Sequence, residues 1–517
     1  MAYATTIYGS TMIDSKKIVK NTAFLYIRLI LVFGVTFYTS RVVLDQLGVE
    51  DYGLYNVIYG IIGVLSFLNG TLSIGTTRFL TYDLGASDDK TLKDTFMTAL
   101  TCHLILAFII FIIGETIGLW YVCNVMVCPE DRFFSALFTY QMSILVTMLT
   151  IIQVPFSSEI IAHEEMNLYA YLGIFEAFAN LFVAIFLSIS TWDKLVIYAF
   201  LIFFVKMCTS SLYIFITRRK FQEVKLKLGY NSSTLRKLLN FSGWNIIANI
   251  SSMLMNQGVI MLFNLFFAPV VVAAQAIANQ ISQALLLLVN NVRQAINPQV
   301  IKLYADNKRD ESERLTLNSA EYVFYLLLLI GIPLIVLMPE VLNLWLVDVP
   351  DYTIIFSQFI VLQTILDNFN AAFYTPMLAA NKIKANSLIA AVLCVLQFLL
   401  LTILFRFGFD AIWSRYVGIL FCIVWSFFVK PFILWKYIGY SKTGILRCIF
   451  RCLRLFIAVT VVTLCINDLI SKETTFDIFV VGFLSIINVL FWTVVFMKSD
   501  IRIKILNLII NKIKSKS

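Results

Sequence analysis

The chain has 517 residues, 60% hydrophobic and 14% charged, with mean hydropathy +0.85 and a formal net charge of +9. That balance excludes a soluble globular domain, which needs a far more charged surface, and marks a polytopic membrane protein. The basic excess does not call for nucleic acid, because its placement along the chain accounts for it.

Residues 1–17 are polar and hold no apolar stretch with a small-residue cleavage site, so the first span is expected to act as the insertion signal. Apolar runs of about 20 residues cross a bilayer as helices. Such runs predict fourteen spans, at 19–43, 53–80, 96–121, 133–157, 169–190, 195–217, 238–267, 271–300, 319–346, 353–379, 386–407, 411–435, 448–467 and 475–497. The expected fold is all-α: two six-helix lobes related by a pseudo-twofold, plus two extra C-terminal helices. The expected segments are a terminus at 1–18, an N-lobe at 19–217, a basic linker at 218–237, a C-lobe at 238–435, helices 13 and 14 within 436–497, and a tail at 498–517. Loops are short, which leaves no room for an extramembrane catalytic domain. Pro155, Pro298, Pro333, Pro376 and Pro431 interrupt spans and are expected to kink them. The tail, IRIKILNLIINKIKSKS, alternates apolar and basic residues. It reads either as an amphipathic helix on the inner leaflet or as a basic end that fixes topology.

With the N-terminus inside, the inner segments collect most of the cations, including Lys16, Lys17, Lys20, Lys90, Lys93, Arg218, Arg219 and Lys220. The outer loops hold only Arg132, Lys194 and Lys472. This asymmetry predicts both termini in the cytoplasm. Nine cysteines, scattered mostly through apolar runs, argue against a disulfide framework. Cys123 and Cys128 share one outer loop, and their pairing stays open. Two histidines, His103 and His163, give no expectation of a histidine metal site.

Nine cations remain inside spans: Arg28, Arg41, Arg78, Lys206, Arg293, Arg406, Arg415, Lys430 and Arg454. A cation at membrane depth costs about 2.5–3.5 kcal/mol on insertion scales. Arg41, Arg406, Lys430 and Arg454 lie near span ends and are expected to snorkel. Arg28, Lys206 and Arg293 lie deeper, where a cation persists against water or an anionic ligand. Acids inside spans are few: Glu115, Glu176 and Asp367, with Glu321 and Glu340 nearer the ends. Glu176 and Asp367 are candidates for ion coupling, and equally for ion pairs with Lys206 or Arg454.

A shift of 220 residues lays spans 1 and 2 on spans 7 and 8. In span 2, Asn56, Tyr59, Gly63, Ser66, Gly70, Ser73 and Thr77 form a stripe at helical spacing. Its counterpart in span 8 contains Asn279, Gln283, Asn290, Arg293 and Asn297, and span 7 carries Asn245, Asn249, Ser252 and Asn256. Amide side chains facing lipid would go unpaired, so these stripes face protein or water. Singly they read as helix–helix glue. As matching stripes, each beside a cation, they point to a hydrated central cavity between repeated halves, a known transporter plan. Asn245, Asn249, Asn256, Asn279, Gln283 and Asn290 are therefore the polar substrate-binding candidates. No glycine-rich phosphate loop followed by Lys-Ser/Thr occurs, so neither ATP hydrolysis nor a cofactor is expected.

The stretch KNTAFLYIRLILVFGVTFYTSRVVLDQLGVEDYGLYNV, followed by FLNGTLSIGTTRFLTYDLG, resembles the amino-terminal signature of Wzx-type polysaccharide flippases. These are the O-antigen and capsule repeat-unit translocases of the multidrug/oligosaccharidyl-lipid/polysaccharide exporter (MOP) superfamily. The turn from Leu47 to Asn56 and the small-residue helix ending in Arg78-Phe79 carry the likeness, over about 65 residues. The resemblance implies a V-shaped bundle in the bacterial inner membrane whose helices 1, 2, 7 and 8 line the cavity. It implies a lipid-linked oligosaccharide as substrate, with membrane lipid and the pathway's polymerase and chain-length proteins as partners, and no nucleic acid. Related lipid II flippases have 14 spans and hold the diphosphate with cavity arginines. By position Arg28 and Arg293 suit that role, and Arg78 is a third. The chain departs from the pattern in lacking a dense arginine triad in one span. Tyr26, Tyr38, Tyr55 and Tyr59 are candidates for stacking on sugars. A multidrug exporter of the same superfamily is the first alternative, although organic cations call for an acidic cavity. A membrane enzyme of polysaccharide assembly is the second, although it needs a larger outer loop or an acid cluster.

Overall fold

The computed structural model describes residues 15–65, 67–85, 89–224, 229–232, 234–236, 253, 257–380, 382–470 and 474–497. Among these residues every regular element is a helix. The N-terminal elements are α1 (Ser15–Leu65), α2 (Phe67–Gly85) and α3 (Asp89–Ile113), the last running through a π turn at Gly114–Gly118 into Leu119–Asn124. They continue with α4 (Phe133–Ala162), α5 (Met166–Phe186), α6 (Lys194–Lys220) and α7 (Gln257–Phe266). Next come α8 (Pro269–Ala305), α9 (Arg309–Val336), α10 (Met338–Trp345), α11 (Thr353–Phe369) and α12 (Tyr374–Ala379). The last are α13 (Ile383–Arg406), α14 (Trp413–Ile423), α15 (Lys442–Leu469) and α16 (Thr475–Phe496).

Eleven helical stretches among the described residues are long and apolar enough to cross a membrane. The number fourteen remains an expectation. The span expected at 238–267 lies mostly outside the described residues. That at 319–346 breaks at Leu337 between α9 and α10, and that at 353–379 breaks at a 3₁₀ turn, Ala371–Phe373. Several of these helices leave apolar faces uncovered among the described residues. The most apolar window of α13 is only 11% buried, and Leu388, Val392, Val395, Leu399 and Ile403 form one exposed stripe along it. Such a surface is stable only against lipid. The protein is therefore a multi-pass membrane protein.

Of the expected kinks, Pro155 and Pro333 sit inside α4 and α9. Pro431 lies between two π turns, Val424–Val429 and Leu434–Ile438, which absorb the ring clash by widening the helix. Gly48 breaks α1 with φ 77° and ψ 168°, a conformation open to glycine.

The chain divides into two compact units, Met1–Ala273 and Ala274–Ser517. In the first, α1 packs on α5, and α4 packs on α2, α3 and α6. Helix α7 belongs with this unit. Gln257 fills a notch over Gly60 and Gly63, and Asn264 grips Val127 by both backbone groups, at 3.1 and 3.0 Å. A Cβ at Gly53 would collide with Pro269. In the second unit, α9 is central, and α11, α15 and α16 pack around it. Helices α15 and α16, the expected C-terminal addition, are tied together by Asn488, which donates to Val459 O and Thr463 Oγ1 at 3.0 and 2.9 Å. They are tied to α9 by Arg451–Glu321, 2.7 Å. Cys123 and Cys128 are both free thiols.

The turn that carries the family likeness does structural work. Asp51 accepts from Arg132 Nε at 2.9 Å, and Arg132 also reaches Asp193 at 2.7 Å. Asp193 caps α6 by accepting from the Leu195 and Val196 N–H groups, at 3.0 and 3.1 Å. Burial alone would raise the Asp193 carboxyl. Hydrogen bonds from Ser135 and the Val196 N–H, and the Arg132 guanidinium, outweigh that and hold it below the ordinary aspartate value.

Candidate functional site: two cationic faces

In the N-terminal unit, α1 lays Arg28 across α5. The guanidinium sits 4.4 Å over the Tyr169 ring and rests on Gly173, where any Cβ would overlap it. A desolvated stack of this kind contributes about 2 kcal/mol. Arg28 Nε is buried and has no acceptor among the described residues. One turn along α5, Glu176 pairs with Lys206 of α6 at 3.1 Å. The deepest lysine is thus neutralised within its own unit. Of the two readings open for Glu176, the structure forms the ion pair. Two cations and one acid leave this face with a positive excess carried by Arg28.

In the C-terminal unit, α8 carries Arg293, whose Nε is also buried and has no acceptor among the described residues. Asp367 of α11 and Tyr374 of α12 lie within electrostatic reach of it. Asp367 is exposed and forms no ion pair within 4 Å among the described residues. Lys430 lies in the same field. It was expected to snorkel, but it is 9% exposed, donates to Asn370 Oδ1 and lies 5.3 Å over Trp425. The helix geometry explains this. The wide turns flanking Pro431 aim the side chain into the bundle, and an amide rather than a carboxylate receives it. Two cations and one acid again leave a positive excess.

The polar stripe of α8 splits in two. Ser282 bonds Thr364 at 2.8 Å and Asn297 accepts from Thr375 at 2.7 Å, which is interhelical glue. Asn279 accepts from Gln275 at 2.7 Å and is half-buried, while Gln283 and Asn290 are exposed. Exposed amides on a membrane-depth helix require water rather than lipid. In the N-terminal unit, Asn56 bonds back to Tyr52 O of its own helix at 2.7 Å, whereas Thr77 bonds Ser158 of another helix at 2.9 Å, again glue. Tyr38 and Tyr59 are exposed, whereas Tyr55 packs edge-on to Tyr198 at 5.0 Å. Arg78 is exposed on α2, beside Phe79. Asn245, Asn249, Asn256 and the Tyr26 side chain lie outside the described residues.

Sequence reasoning missed Tyr169, Gly173, Tyr374 and Asn370. Nothing in their spacing distinguishes them from ordinary packing residues; each matters only through the cation that another helix brings to it.

No protein-family model matches this chain, and no curated protein matches it. Solved structures do. The lipid II flippase MurJ in an inward closed conformation matches with TM-score 0.62 at 11% identity, covering 92% of this chain and 100% of that one. An inward-facing multidrug resistance MATE family transporter of the MOP superfamily matches with TM-score 0.59 at 13% identity, covering 83% and 99%. A MOP superfamily transporter from Pyrococcus furiosus, described as having a binding pocket of reverse polarity, matches with TM-score 0.54 at 13% identity, covering 84% and 95%. The chain shares its fold with these structures, which are transporters and a flippase.

Proposed function

We propose that the protein translocates undecaprenyl-diphosphate-linked oligosaccharide repeat units across the bacterial cytoplasmic membrane for surface polysaccharide or lipopolysaccharide biosynthesis. It works by alternating access with a cationic central cavity, both termini lying in the cytoplasm. The observation that carries this reading is the pair of buried, unpartnered arginine Nε groups, Arg28 and Arg293, one in each unit. A buried guanidinium N–H without an acceptor is costly, and a phosphate oxygen supplies the acceptor it lacks. The exposed amides Gln283 and Asn290 suit exchange of hydrogen bonds with sugar hydroxyls. Arg78 and Asn279 serve the same ligand from the flanks, and Asn245, Asn249 and Asn256 are further contacts. The lipid tail stays in the bilayer while the head group crosses. Of the candidate acids, Asp367 suits ion coupling, because Glu176 is already engaged by Lys206. A positive excess on both faces disfavours organic cations as cargo.

The test is the double variant Arg28→Ala/Arg293→Ala, assayed for flipping of a lipid-linked diphosphate sugar in proteoliposomes. Loss of flipping with normal membrane insertion supports the reading; wild-type flipping removes it.

A further inference from the structure

Away from the arginine faces, the end of α4 meets the segment that follows α6. Helix α4 closes with Glu164 N–H bonded to Ile161 O and Glu165 N–H bonded to Ile160 O, both 3.0 Å, and with φ 57° at Glu164. This turn sets His163 over Glu159, one helical turn back. Beyond α6 the chain becomes extended at Phe221, which stacks on the His163 ring at 4.1 Å and fixes its plane. Glu223 then reaches the same imidazole. His163 Nε2 lies 2.6 Å from Glu223 Oε1 and 3.3 Å from Glu159 Oε1. The ligating atoms of all three side chains lie within 4.8 Å of one another.

Glu159 makes this more than a surface cluster. It is fully buried; its Oε2 has no hydrogen-bond partner among the described residues, and its Oε1 has only the 3.3 Å contact from His163. Its neighbours Phe156 and Ile160 belong to an apolar core with Phe221 and Val224. A carboxylate in that setting needs a counter-charge. One imidazole shared between two carboxylates leaves the set net negative even when it is protonated. A divalent cation supplies the missing charge and satisfies the oxygens aimed at it.

We propose that Glu159, His163 and Glu223 bind a divalent transition-metal cation. One imidazole nitrogen and two carboxylates suit Zn²⁺ or Mn²⁺ better than the harder Mg²⁺. A tetrahedral site with bonds of about 2.0–2.1 Å spaces its donors roughly 3.3 Å apart, the separation Glu159 and His163 already show, while the 2.6 Å between His163 and Glu223 has to open when the cation enters. The cation fastens the end of α4 to the chain beyond α6, where the basic stretch begins. This proposal is independent of the transported substrate.

The test uses the full-length protein in detergent, stripped with a chelator and titrated with ZnCl₂, with MnCl₂ and MgCl₂ as separate arms. Retained metal is measured after desalting, together with the thermal unfolding midpoint. The expected result is one Zn²⁺ or Mn²⁺ per chain and a raised midpoint. In Glu159→Gln and His163→Ala the affinity falls by about 100-fold or more, while the free thiols, unchanged in these variants, set the background. Glu159→Gln keeps shape and volume, so its loss of metal is not a folding defect. Equal metal in wild type and variants, retention of Mg²⁺ alone, or no metal on folded wild-type protein overturns the proposal.

Discussion

The two units handle the same charge inventory in opposite ways. In the N-terminal unit the acid is spent locally: Glu176 holds Lys206 at 3.1 Å, and Arg28 is laid flat on Tyr169 over Gly173. In the C-terminal unit a neutral amide, Asn370, takes up the lysine, and Asp367 stays exposed near Arg293 with no ion pair among the described residues. One face has its acid taken up in an ion pair, and the other keeps an exposed acid beside its arginine. A transporter that couples ligand to an ion needs one responsive group, and fixed charges elsewhere keep the rest of the field constant. Under the proposed function, Arg28 and Arg293 are the phosphate-holding candidates, one in each unit, and Asp367 is the coupling candidate.

The largest effect is expected from removing both grips. Each charge-assisted hydrogen bond is worth about 1.5–3 kcal/mol, so Arg28→Ala/Arg293→Ala should cut flipping by about two orders of magnitude or more. Each single variant should fall between the double variant and wild type. If one single variant equals the double, the two faces do not share the ligand.

Gly173→Leu comes next, because its side chain must occupy the seat of the Arg28 guanidinium. Flipping should drop as far as in Arg28→Ala, with the thermal midpoint lowered as well. A fully active Gly173→Leu would show that the seat is not used.

The lysines separate the units by stability. Lys206→Met strands Glu176 and should cost about 2–3 kcal/mol, less than a fully buried pair because both side chains are partly exposed. Glu176→Gln in the same chain should recover most of it. Lys430→Met strands only an amide and should cost about 1 kcal/mol beyond its packing. Thermal unfolding of the three variants in detergent checks the order; a Lys430→Met loss larger than that of Lys206→Met reverses the comparison.

The smallest effect is pH-dependent. Asp193 is held below the ordinary aspartate value, so its folded form gains stability that is fully present above the unfolded pKa. That stability is lost as pH falls through the folded value. Asp193→Asn should flatten the acid limb of the midpoint–pH curve, and an unchanged limb would place the acid sensitivity elsewhere.

The membrane class and the helical architecture were legible in the chain, because hydropathy is a local property and spans read directly from it. The turn from Leu47 to Asn56 was legible as a motif, although its role in clamping Arg132 and Asp193 was not. The polar stripes were legible as stripes, but which residues are glue and which meet water depended on neighbours: Asn297 found a hydroxyl, while Gln283 and Asn290 stay exposed.

Linear order therefore decided where charge enters the membrane, since a cation's depth follows from its distance to the ends of an apolar run. Tertiary structure alone decided what each charge meets. Lys206 finds Glu176 thirty positions away, Lys430 turns inward to Asn370 through widened helix turns, and Glu159 and His163 wait for Glu223 across sixty residues. The physical reason is range. Transfer free energy adds up residue by residue along a helix, whereas pairing energy falls off within a few ångströms and exists only once separate helices pack.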